Sequence, residues 1–86
     1  MATVPNPLEQ ALGLHRAGRL DAALAAYRGL LPANPDHPEL LFLIGTASAQ
    51  AGQRAQALEF LQRATRCAPE RPEPWRQLAS VQAELG

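Results

Sequence analysis

Lysine is missing from this sequence. All 8 basic residues are arginine, and they balance 8 acidic residues to a formal net charge of zero. Without a basic excess there is no electrostatic drive toward DNA, RNA or an anionic membrane surface. Cysteine occurs once, at Cys67, which excludes an internal disulfide. β-Branched aliphatic residues are nearly absent, with two valines and Ile44 alone, which argues against a sheet. Long apolar runs are missing too. The stretch Leu40-Leu41-Phe42-Leu43-Ile44 stops at Gly45, far short of the roughly 18 residues that cross a membrane. The N-terminus, Met1 to Pro7, has no basic stretch leading into an apolar core, so it does not read as a secretion signal. A cytoplasmic location is the expectation.

Alanine and leucine fill the space, with 17 and 14 of the 86 residues. Both head the helix scale, so the composition predicts an all-α chain. At 9.3 kDa the chain is one small domain. A chain of this size hides only about 60–65% of its unfolded surface, too little for a large enzyme with its own deep pocket.

Glycine and proline divide the chain. Pro5 and Pro7, Gly18, the group Pro32, Pro35 and Pro38, Gly52, and the group Pro69, Pro72 and Pro74 mark helix ends and turns. Between them the apolar spacing predicts five helices, at about 7–17, 20–32, 38–51, 54–67 and 73–85. Pro38 and Pro74 suit a first turn, where a missing N–H costs nothing. Pro32 is expected either to end the second helix early or to tighten its last turn. Cys67, three past Ala64, is expected to be a small core residue.

The breaks recur. Gly18, Gly52 and Gly86 are spaced by 34 residues, as are Pro35 and Pro69. Ala23 and Ala57, Leu24 and Leu58, and Leu41 and Trp75 repeat at the same distance, as do Ala11, Gly45 and Ala79. A fixed period of this length means a helix-turn-helix unit stacked side by side. The units are residues 4–37, residues 38–71 and a partial third at 72–86.

Catalytic and metal chemistry find little support. His15, His37 and Cys67 lie in separate elements without the spacing of metal ligands. No nucleophile–base arrangement and no Gly-rich phosphate loop is present. The six glutamates read as solvated helix-face and first-turn carboxylates. Glu59, four before Arg63, predicts a surface ion pair. No aromatic residues interleave with the arginines as a nucleic-acid surface requires. No catalytic residue, cofactor or metal is expected within these 86 residues.

The pattern resembles the tetratricopeptide repeat family. The central unit carries it with Leu41, Ile44, Gly45, Gly52, Ala57, Leu61, Ala64 and Pro69. The first unit follows with Ala11, Gly18, Ala23, Tyr27, Leu30 and Pro35, and departs at Pro7 and Gln10, where bulky residues would sit. The partial third offers Trp75, Leu78, Ala79 and Gly86. The all-arginine usage resembles that of a bacterial member.

The resemblance implies a right-handed superhelix of stacked antiparallel hairpins, about two and a half repeats long. It also implies a concave groove lined by the first helix of each unit, holding a protein or peptide. The lining residues would be Leu8, Leu12, His15 and Arg16, then Glu39, Phe42, Thr46, Ala49 and Gln50, then Arg76 and Ser80. Leu8, Leu12 and Phe42 stand where a carboxylate-clamping subgroup has polar residues, so a partly apolar groove for an amphipathic helix fits better.

The third unit stops at its turn. Trp75 is expected to cover the end of the central core. Trp75, Leu78, Val81 and Leu85 are also expected to form a terminal apolar face open to a homodimer contact. Three functional classes stay open at this point: an interaction module, a self-associating scaffold, or the N-terminal segment of a larger enzyme of glycosyltransferase, sulfotransferase or hydroxylase type.

Overall fold

The computed structural model describes residues 6–85, with the side chain of Leu85 outside that set. Among the described residues there are five α-helices and no strand. They are α1 (Pro7–Arg16), α2 (Leu20–Leu30), α3 (Pro38–Gln50), α4 (Arg54–Cys67) and α5 (Pro72–Leu85). Consecutive helices pack on one another, giving hairpins α1–α2 and α3–α4 with α5 laid against α4. The stack measures 49 × 25 × 20 Å, the elongated outline of a solenoid, where each unit leans on its neighbour.

The helix starts follow from capping. Asn6 Oδ1 accepts the Glu9 N–H at 2.8 Å, with Pro7 in the first turn. His37 Nδ1 accepts the Leu40 N–H at 3.2 Å, with Pro38 following. Each side chain satisfies a donor that has no partner inside its helix. Pro32 tightens rather than truncates: α2 ends at Leu30 and a 3₁₀ turn runs over Leu31–Ala33. α5 starts at Pro72, one residue before the expected start, so Pro74 lies within its first turn.

The two hairpin turns are built alike. Gly18 and Gly52 have φ of 79° and 81°, the left-handed region open to glycine. Arg19 N–H donates to Leu14 O at 2.9 Å and Gly18 N–H to His15 O at 3.0 Å. Gln53 N–H donates to Ser48 O at 2.8 Å and Gly52 N–H to Ala49 O at 3.1 Å. That paired pattern closes a helix and reverses the chain in the fewest residues.

One core cluster runs from α1 through α4 and includes Ala11, Ala23, Leu24, Tyr27, Leu41, Ile44, Ala47 and Ala64. A second joins α4 to α5 through Ala57, Leu61, Leu78 and Val81, with Phe42, Ala49 and Leu58 against it. Gly45 sets the closeness of α3 and α4, because a Cβ there would stand 2.7 Å from Leu61 Cγ.

The structure corrects four expectations. Cys67 is exposed, and Ala68 takes the inward place at 3% exposure. The buried stripe of α4 steps four from Ala64, not three. Arg63 does not pair with Glu59. Its guanidinium lies 5.1 Å from the Phe60 ring centre and donates to Pro35 O at 3.2 Å. The ion pair among the described residues joins Arg54 on α4 to Glu84 on α5 at 2.9 Å. Leu78 and Val81 are not on an exposed face but buried, at 7% and 2%. Trp75 caps little of the core. It remains 48% exposed, with Nε1 donating to Pro69 O at 2.9 Å.

Candidate interaction surface

The expected groove residues fall on α1, α3 and α5. Leu8, Leu12, Phe42, Thr46 and Ala49 are half-buried, and Arg16, Glu39, Gln50, Arg76 and Ser80 are exposed. Phe42 and Ala49 also pack against the cluster of Ala57, Leu61, Leu78 and Val81, so part of their apolar surface is committed to the fold. Thr46 Oγ1 is buried without a hydrogen-bond partner.

His15 is not a free groove residue. Its Nδ1 lies 3.0 Å from Tyr27 Oη, and its Nε2 lies 2.6 Å from Gln50 Oε1. An amide oxygen only accepts, so Nε2 carries the proton and Nδ1 accepts from the tyrosine hydroxyl. The relay ties α2 to α1 and α1 to α3, and the rings of His15 and Tyr27 meet edge to face. Tyr27 is fully buried. That burial pushes its pKa above the ordinary 10.0, against a smaller lowering by Arg16. Its ring fills the place in the first hairpin that Leu61 fills in the second.

A pocket of about 240 Å³ opens beside this surface, where the start of α1, the end of α2 and the start of α3 meet. Leu8, Leu30 and Leu40 form its apolar wall, together with Pro7. Asn6, Asn34 and His37 stand around it. Of these, only Leu8 was expected from sequence to line a site. The signal for the pocket was Pro7, which stands in register with Leu41 and Trp75 and is too small to fill their place.

Among the described residues, no three His, Cys, Asp or Glu side chains come together as a metal site. No described helix is long and apolar enough to cross a membrane.

A family model described as tetratricopeptide repeat matches residues 14–84, most of the chain. A search of curated proteins finds no significant match.

Proposed function

The chain belongs to the tetratricopeptide repeat family, and on that premise we propose that it is a non-catalytic module holding a peptide or helix on the face shared by α1, α3 and α5. A stack of this kind is an interaction scaffold. The finer reading rests on one observation: α1 and α3 carry half-buried Leu8, Leu12 and Phe42, and the three first helices together carry exposed Arg16, Gln50, Arg76 and Ser80. Such a surface offers apolar contact to one side of a helix and polar partners to its edges. A cytoplasmic location belongs to the same reading.

The test is selection of binding peptides from a displayed library, followed by mapping on the ¹⁵N-labelled chain. Amide shifts should fall on Leu12, Phe42 and Ser80. Ser80→Arg, at an exposed position, should weaken binding by about tenfold or more. Peptides that map to the opposite side, on α2 and α4, would overturn the proposal.

A second reading is favoured by Trp75. Among the described residues it is the large hydrophobic one left exposed, and its helix offers a surface for self-association. Sedimentation across concentration tests this, because Trp75 is the sole tryptophan and its emission should shift to the blue as copies meet. A mass that stays monomeric at every concentration would remove the reading.

A further inference from the structure

The pocket at the start of α1 is a vacancy in the repeat. At the same register in the second unit stands Leu41, fully buried. The residues in register with Leu30 and Asn34 are Ala64 and Ala68, both buried and small. The second unit therefore fills this place with its own large side chain, and the first unit leaves it open behind Pro7.

The polar residues around the opening have complementary atoms left over. Asn6 spends Oδ1 on the Glu9 N–H, which leaves its Nδ2 as a donor. Asn34 spends Nδ2 on Leu30 O, which leaves Oδ1 as an acceptor. His37 accepts the Leu40 N–H on Nδ1, which places its proton on Nε2 as a second donor. A peptide unit brings one carbonyl and one N–H, so these atoms match main chain around an apolar hole.

We propose that this pocket is a binding site for one large aliphatic side chain, of leucine type, carried on an extended peptide. The internal repeat supplies the argument for the occupant, because Leu41 shows what this place holds when it is filled. The proposal rests on the reading that the chain binds polypeptide; it shares Leu8 with the groove, and the rest of its lining lies outside the groove residues.

The probe is blocked leucine, N-acetyl-leucine N-methylamide, titrated into the full ¹⁵N-labelled chain, with blocked alanine as control. A single side chain should bind in the millimolar range. Saturable shifts are expected at the amides of Leu8, Leu30 and Leu40, several-fold weaker for blocked alanine. Pro7→Leu puts the missing side chain in place and should abolish the saturation. Asn34→Ala, an exposed change in register with Ala68, should weaken it several-fold while the fold is kept. Ser80→Arg should leave it unchanged, so the groove reading can fail while this one stands. The proposal is overturned by an absence of saturable shifts at those amides. Unaltered binding in Pro7→Leu also overturns it. So does binding seen only after residues 1–5 are deleted, since the chain's own N-terminus would then be the occupant.

Discussion

Helices α3 and α5 hold the same place in the repeat, and they differ in what covers them. In α3, Leu41 is fully buried and Gly45 lies under Leu61 of α4. In α5, the equivalents are Trp75, at 48% exposure, and Ala79, which is exposed. Their other sides agree, since Ile44 and its counterpart Leu78 are both buried. One side of each first helix meets the preceding unit, and the other needs a second helix of its own. The energetic weight of a repeat residue therefore depends on its neighbours more than on its type.

Truncation breaks the comparison most sharply. Leu41→Ala should destabilise the chain by about 2–5 kcal/mol, the range for a fully buried leucine that leaves a cavity. Trp75→Ala removes a larger side chain and should still cost less, on the order of 1 kcal/mol, because half of it already faces water and one hydrogen bond is lost. Urea unfolding of both variants measures the difference. Equal losses would mean that Trp75 is covered in solution.

Enlargement is the next effect. Gly45→Val drives a branched side chain into Leu61 and should cost about 1–3 kcal/mol. Ala79→Val makes the equivalent change on an open face and should stay within about 0.5 kcal/mol. Thermal midpoints give the order. A large loss at Ala79 would again mean a covered face on α5.

That contrast also marks the limit of what could be read in advance. The helix count, the turns and the register were legible, because Gly and Pro act through local backbone geometry. Gly18 and Gly52 need no neighbour to require a positive φ. The inward set of α3 was legible through Leu41, Ile44 and Gly45. Cys67 was misplaced because the face of a helix turns by a large angle with each residue, so one step separates it from buried Ala68. Trp75 was misjudged because its burial depends on a surface that periodicity does not describe. The exposure of the groove residues was only half legible: His15 fits the family's lining pattern, and nothing local announces that Tyr27 and Gln50 occupy both its nitrogens. The pocket shows as a departure from register at Pro7, but its volume needs three helices placed together.

The two junctions between units differ as well, and pH separates them. The first carries the Tyr27–His15–Gln50 relay. In the second, Ala49 and Ala83 stand in register with His15, and the buried contacts are apolar, with the Arg54–Glu84 pair at the exposed edge. Tyr27 is the sole tyrosine, and burial raises its pKa above the unfolded value of 10.0. Below that value both states keep the proton, so the buried neutral hydroxyl makes its full contribution. As pH rises past 10 the unfolded chain ionises first, and stability is lost through the folded value. Tyr27→Phe should lower stability by about 0.5–1.5 kcal/mol near neutrality, through the lost bond to His15. It should also flatten the alkaline decline. Denaturation midpoints at about pH 8 and about pH 11 test both parts. A decline of the same slope in Tyr27→Phe would show that another group drives it.

The smallest expected effect lies at the second junction. Arg54 and Glu84 form an ion pair at 2.9 Å, with side chains 48% and 50% exposed. Water screens both charges, and ordering two long side chains offsets part of the attraction. Arg54→Ala should therefore cost no more than about 0.2–1 kcal/mol, and added salt should remove most of the difference. A double-mutant cycle with Glu84→Ala isolates the coupling. A coupling well above that range would put α5 in a different light, as a helix held by charge at its end as well as by Leu78 and Val81 along its side. A coupling near zero would leave those two side chains, with Pro74, as what seats α5 against the stack.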